Sequence, residues 1–192
     1  MAFPAAHCSL GLGVATALGQ KFTSYRWLLF WALVSILPDF DFFFVFVLGF
    51  SKREYHRTFT HSIVFSFAAS VFIFLATKRA ANRSHDPGKT GARAFWLAIF
   101  LVLLSHVALD FLCVSDYQRD GEMLFWPFDR RTYGYRSFLV PLYLKFGGQP
   151  RHYLEVAIPY TLLEIILWSP VTIWVLWKQK NRLAELPICP RI

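Results

Sequence analysis

The chain alternates between long apolar runs and short polar connections. Four runs stand out, at 27–50, 59–77, 94–114 and 156–177, and a weaker fifth, rich in Ala, Leu and Gly, covers 3–19. Each of the four approaches the ~20 residues that a helix needs to cross the hydrocarbon of a bilayer. The pattern predicts an all-α fold, a polytopic membrane helical bundle of about five spans, four strong and one weak at the N-terminus. The weak run has no basic residue ahead of it, so it reads as a span rather than a signal peptide. Residues 1–178 are read as a single integral-membrane domain and 179–192 as a basic polar tail.

Composition agrees. Apolar residues make up 56% of the 192, with 21 Phe, and charged residues only 17%, against roughly 25% in an ordinary soluble domain. A disordered chain would be polar and poor in aromatics. A small disulfide scaffold would carry far more than the three Cys found here. The formal charge of +8 calls for no nucleic acid, since no nucleic-acid motif or phosphate-cradling Gly loop accompanies it.

The placement of the basic residues sets an orientation. Lys78, Arg79, Arg83, Lys89 and Arg93 lie between the runs at 59–77 and 94–114. Lys178, Lys180, Arg182 and Arg191 follow the last run, and Lys21 and Arg26 precede 27–50. Threading five spans puts these segments on the cytoplasmic side and the N-terminus, 51–58 and 115–155 outside. The expected location is therefore the inner (plasma) membrane, multi-pass, with the lipid bilayer as the first partner; the oligomeric state is open.

Ionisable groups inside apolar spans are costly and are functional candidates by default. Asp39 and Asp41 interrupt the first long run, His61 lies just inside the second, His106 and Asp110 lie in the third, and His7 is near the start of the weak run. His106 and Asp110 are four apart, so both project from one helix face. Asp39 and Asp41 would point to opposite faces of a continuous helix. Pro38 removes an N–H and disfavours a straight helix, and a break there lets both carboxylates turn to one pocket. Broken helix at membrane depth survives only where protein or a watery cavity surrounds it. Thr58 or Thr60 is placed to cap the next helix, with His61 in its first turn.

In the five-span threading every candidate falls between the midplane and the outer face. Histidine and carboxylate ligands suit a divalent metal: zinc first, with manganese or iron as alternatives, one ion or two. Simpler readings exist for each piece: a structural His–carboxylate bond for His106 and Asp110, a helix cap at a kink for Asp39 and Asp41, and an interfacial helix start for His61. Arg57, beside His56, is placed to pair with an anionic substrate or, more simply, to face solvent or a lipid headgroup. The segment from Trp126 through Arg130, Arg131 and Arg136 mixes aromatics with Arg and suits a membrane interface. Cys8 and Cys113 read as small apolar packing residues.

His7 with Gly11, Leu-Pro-Asp-x-Asp at Leu37–Asp41, His-Arg-x-x-Thr-His-Ser at His56–Ser62 and His-x-x-x-Asp at His106–Asp110, taken in that order on hydrophobic helices, resemble the YdjM-like family, described as LexA-regulated, membrane-bound metal-dependent hydrolases. The resemblance covers roughly residues 5 to 130. It implies a bacterial or archaeal inner-membrane protein with a divalent-metal site drawn from His7, Asp39, Asp41, His56, His61, His106 and Asp110. It is also similar, at long range, to zinc-dependent phospholipase C and nuclease helical bundles, which points toward phosphoesters.

The expected function is metal-dependent hydrolysis of a phosphoester or ester in a lipid or other anionic substrate. Asp39, His61, His106 and Asp110 are the expected core ligands, His7 and Asp41 further ligands or supports. His56 is the expected acid/base, and Arg57 and Asp41 share its catalytic setting. The contrasting expectation is a non-enzymatic metal or proton carrier, or a small membrane partner protein, built on the same residues. A carrier needs polar groups continuing through the cytoplasmic half, and apart from Glu164 the runs show little there.

Overall fold

The computed structural model describes residues 4–20, 25–41, 43, 47–49, 56–84, 91–112, 121–135 and 153–184. Within them lie five α-helices: α1 (Pro4–Ala17), α2 (Tyr25–Ile36), α3 (Ile63–Ser84), α4 (Ala92–Leu112) and α5 (Tyr153–Ala184), with short 3-10 turns at Leu37–Asp41 and Phe59–His61. The described residues contain no strand, only an isolated antiparallel bridge between Glu122 and Tyr133. The all-helical expectation therefore holds.

The five-span expectation is met in part. Among the described residues only α4, 21 residues long, is clearly long and apolar enough to cross a bilayer. At 1.5 Å per residue it reaches about 31 Å, the thickness of the hydrocarbon. The apolar part of α3 stops at Thr77. Within the described residues α1 has 14 residues and α2 has 12, each shorter than the ~20 of a full span. α5 runs on past Lys178 to Ala184, so the expected tail boundary falls inside a helix.

α1 is the hub. It packs on α2, α4 and α5, while α3 packs on α4. Its small residues explain this role, because small side chains let helix backbones approach where lipid supplies no hydrophobic drive. A Cβ on Gly11 would sit 3.2 Å from Val102 Cγ1 and closer still to Ser35 Cβ. Ser9 Oγ and Thr172 Oγ1 share a 2.8 Å hydrogen bond from α1 to α5. The hydropathy of this run is modest because it is built for contact between helices.

α1 and α4 run antiparallel. Gly11 faces Val102, and one turn earlier on α1 His7 stacks on His106, one turn later on α4. This register divides the bundle. At one end Leu12, Ala15, Trp31, Phe95, Ile99 and Leu103 form an apolar core; at the other His7, Asp41, His61, His106 and Asp110 are buried beside a smaller apolar pair, Ala6 and Leu109. Outside, Leu29, Phe67, Phe72, Ile166, Ile173 and Trp177 are exposed. So much exposed apolar surface is unusual for a protein in water and fits a lipid-facing exterior.

Candidate metal centre

α2 ends at Ile36 and the chain tightens into the 3-10 turn Leu37–Asp41. The expected break at Pro38 is present, and both carboxylates turn to the same side. Asp39 Oδ1 lies 3.6 Å from both His61 Nε2 and His106 Nε2. Asp110 Oδ2 is 3.5 Å from His61 Nε2, and the two Nε2 atoms are 3.3 Å apart.

Asp39, His61, His106 and Asp110 thus bring one ligand atom each within 4.8 Å of one another. A tetrahedral ion with bonds of ~2.0–2.1 Å has ligand–ligand edges of roughly 3.4 Å. The four edges quoted above match that length. Three of these groups are fully buried and Asp39 is 14% exposed, so the cluster opens on its side.

The hydrogen bonds behind the cluster fix which ring atoms face it. His106 Nδ1 is 2.7 Å from the Ser35 carbonyl oxygen, which can only accept, so Nδ1 carries the proton and Nε2 presents a lone pair. Thr60 Oγ1 donates to Asp41 Oδ2 at 2.9 Å. Its one proton is then committed, and at 3.0 Å from His61 Nδ1 it accepts from that nitrogen. His61 Nε2 is left as a second lone pair. Two imidazole lone pairs and two carboxylates therefore converge. A single proton serves one or two of them; a cation serves all four. Anchoring the far nitrogen of a ligand histidine on a carbonyl or carboxylate is how metal sites orient their rings.

The other sequence candidates surround this core. His7 stacks on His106, with centroids 3.6 Å apart and planes at 15°, and its Nε2 is 3.6 Å from Asp110 Oδ1. Asp41 and His56 form a second group with His61 that has metal-ligating spacing, but its members already bond one another. Asp41 Oδ1 is 3.0 Å from His56 Nδ1, while Oδ2 takes the Thr60 hydroxyl and the Arg57 N–H. Burial pushes the His56 imidazole pKa down, against the pull of Asp41, and favours its neutral form.

Arg57 is the least expected of the set. It is 3% exposed, with Nη2 3.1 Å from Asp110 Oδ2, so it is neither in solvent nor at a headgroup. Its backbone φ is 63°, a left-handed conformation that costs a non-glycine residue ~1–3 kcal/mol. That turn aims the main-chain N–H at Asp41 while the side chain reaches Asp110.

The structure also corrects the helix start. Ser62, rather than Thr58 or Thr60, caps α3, its Oγ accepting the Phe65 N–H at 3.0 Å, and His61 sits in the 3-10 turn before the helix. Cys8 Sγ contacts the Ala32 carbonyl at 3.7 Å and lies outside the cluster. Cys113, Arg136 and the side chain of Glu164 lie outside the described residues.

Sequence reasoning missed three contributors. Thr60 and the Ser35 carbonyl orient the two histidines, and a hydroxyl or main-chain carbonyl gives no sign of this in a one-dimensional pattern. Glu122 is fully buried on the segment 121–135, where the surrounding sequence reads as a polar outer loop. That segment is tied down by Met123 N–H to the Arg57 carbonyl at 3.2 Å, Ile63 N–H to Leu124 at 3.0 Å and Tyr135 N–H to Phe111 at 2.7 Å. At its exposed end Asp129 pairs with Arg131 at 2.8 Å; this partner holds the Asp129 carboxyl below its usual range.

Comparison with known proteins agrees with the resemblance carried by the motifs. The family described as YdjM inner membrane protein matches residues 1–183. The chain is 30% identical over 122 residues to the inner membrane protein YbcI of Escherichia coli (strain K12), a match covering 63% of this chain and 65% of that protein. The chain thus spans just under two thirds of that relative's length. No solved structure matches it. With a match running across nearly its whole length, the chain belongs to the YdjM inner membrane protein family.

Proposed function

We propose that this protein is a multi-pass inner-membrane, metal-dependent hydrolase acting on a phosphoester or ester of a lipid or other anionic substrate, with its site toward the outer side. The observation that carries the reading is the convergence of the His61 and His106 Nε2 lone pairs with the Asp39 and Asp110 carboxylates in a buried cluster with one partly exposed edge. Asp39, His61, His106 and Asp110 hold a divalent ion, zinc by the mix of nitrogen and oxygen donors. Such an ion supplies an activated water and polarises a phosphoryl or carbonyl oxygen.

The remaining residues orient and balance. Asp41 and Thr60 hold the His61 ring, the Ser35 carbonyl holds His106, and His7 covers the His106 face. Arg57 offsets the carboxylate charge beside Asp110. His56, neutral through burial and oriented by Asp41, is the base that takes a proton from water. Phe40, the residue after Asp39, is 54% exposed, as is Phe43. Exposed aromatic side chains next to a polar centre in sequence suit a substrate with an acyl chain and an anionic head.

The test is an assay of purified, detergent-solubilised protein on phospholipids and simple phosphodiesters, with and without a chelator. The reading predicts turnover that the chelator abolishes and the metal restores. Absence of chelator-sensitive turnover on every substrate contradicts it and favours a metal-carrying role for the same cluster.

A further inference from the structure

The segment 121–135 carries a tip whose outward side chains the metal centre does not use. Phe128 is 87% exposed and Phe125 46%. They sit three apart in a tight turn, where the Phe128 and Asp129 N–H groups both donate to the Phe125 carbonyl, at 2.9 and 3.1 Å. Trp126 lies the other way and packs on Phe59, with ring centroids 5.8 Å apart. The turn thus has one face against the protein and one bare face. Trp is the residue ordinarily enriched at a membrane interface, yet here it faces inward and the two phenylalanines face out.

The anchors of the segment set its depth. The Tyr135 N–H donates to the Phe111 carbonyl at 2.7 Å, and the Ile63 N–H to the Leu124 carbonyl at 3.0 Å. Phe111 is the last residue but one of α4, and Ile63 is the first of α3. α4 has the length and apolar composition of a span. As a span it ends near the boundary between hydrocarbon and headgroups, and the segment bonded to that end lies at the same level.

Two further features suit that layer. Main chain entering it must bring its own hydrogen bonds, and residues 126–129 do so. The Trp126 N–H donates to the Met123 carbonyl at 3.1 Å, Phe128 and Asp129 donate to Phe125, and Pro127 has no N–H to satisfy. The charges are arranged as well. Asp129 Oδ2 lies 2.8 Å from Arg131 Nη2 and 2.9 Å from Arg131 Nε, so these two balance. Exposed Arg130 is left as a surplus positive charge beside the aromatic tip, and a guanidinium is matched to phosphate.

We propose that the tip of segment 121–135 is an interfacial anchor whose partner is the phospholipid leaflet on the side of the metal centre. Phe125 and Phe128 sit among the lipids, and Arg130 lies at the level of their phosphates. The proposal rests on the membrane-spanning part of the proposed function, through α4, and on neither the metal nor the hydrolysis.

The experiment uses the full chain, cysteine-free apart from one nitroxide-labelled cysteine, in vesicles of phosphatidylethanolamine and phosphatidylglycerol. The labelled positions are Phe128→Cys, Arg130→Cys and, as a reference on α4, Leu97→Cys at a residue 40% exposed. Relaxation of each label by oxygen, which concentrates in hydrocarbon, is compared with relaxation by a water-soluble nickel chelate. The proposal expects the Phe128→Cys label to respond to oxygen with loss of the nickel effect, as the Leu97→Cys label does, and the Arg130→Cys label to respond to nickel. Equal nickel relaxation of the Phe128→Cys and Arg130→Cys labels would put the tip in water and overturn the proposal. Shielding of the Phe128→Cys label from both reagents would mean that protein, such as a second copy of the chain, covers the tip, and would overturn it too. Loss of the nickel effect at Arg130→Cys would overturn the placement of Arg130 at the phosphates. The reference label separates the two ways of failing. Nickel relaxation of Leu97→Cys would show that α4 does not span, and the anchor would fall with the multi-pass reading; a Leu97→Cys label in lipid beside a Phe128→Cys label in water would sink the anchor alone.

Discussion

His61 and His106, 45 residues apart in the chain, meet Nε2 to Nε2 at 3.3 Å with their Nδ1 atoms turned away to Thr60 and the Ser35 carbonyl. Each ring is fixed from behind. The pair of lone pairs facing Asp39 and Asp110 is therefore a property of the fold and not of one rotamer.

Thr60 is the hinge of that arrangement, since its hydroxyl links Asp41 to His61. Thr60→Val keeps the shape and removes the link. Metal affinity, measured by competition with a chelator, is expected to fall about 10- to 100-fold, the usual cost of losing an orienting partner, with helical content retained. Unchanged affinity would show that His61 needs no such support.

Arg57 separates backbone from side-chain effects. Arg57→Ala and Arg57→Gly both remove the Asp110 partner, but only glycine adopts φ near 63° without strain. The Gly variant is expected to unfold at a higher temperature than the Ala variant, by an amount equivalent to about 1 kcal/mol. Equal melting temperatures would mean that the left-handed turn relaxes once the guanidinium is gone.

Gly11 is predicted to be sensitive at a distance. A methyl group there presses on Ser35 and Val102, and Ser35 holds His106 through its carbonyl. Gly11→Ala is expected to cost roughly 1–3 kcal/mol through overpacking and to lower metal content as well. Gly13→Ala, whose methyl would meet only Val171 at 3.3 Å, is the milder control. A Gly11→Ala protein with wild-type stability and metal content would mean that the α1–α2 contact has slack.

Much of this centre is legible in the sequence, and for a physical reason. Asp39, Asp41, His61, His106 and Asp110 are conspicuous because their neighbours are apolar, and Pro38 announces the break that lets two carboxylates two residues apart share a pocket. Where the background is already polar the same signal vanishes: Glu122 looks like any loop acid until the fold buries it. Arg57 misleads in the opposite sense, as a cation in a short connection suggests solvent, whereas Asp110 draws it inside. α1 is understated because hydropathy measures affinity for lipid and this helix is made of small residues that contact α2, α4 and α5.

The proposed orientation rests on the basic loops and can be checked at the segment 121–135. Arg130 is exposed there, so Arg130→Cys in an otherwise cysteine-free protein is expected to react with a membrane-impermeant thiol reagent added to cells whose outer barrier has been opened while the inner membrane stays sealed. Labelling only after the inner membrane is permeabilised would invert the threading and put the site on the cytoplasmic side.

The central claim is that four side chains from three separate turns and helices hold one divalent ion. Elemental analysis of the purified, detergent-solubilised protein tests it directly, alongside His106→Ala and Asp110→Ala. The account predicts a stoichiometric divalent metal, zinc first, in the wild type, and its loss in both variants while the helical spectrum persists. A wild type without stoichiometric metal, or variants that keep it, would contradict the account.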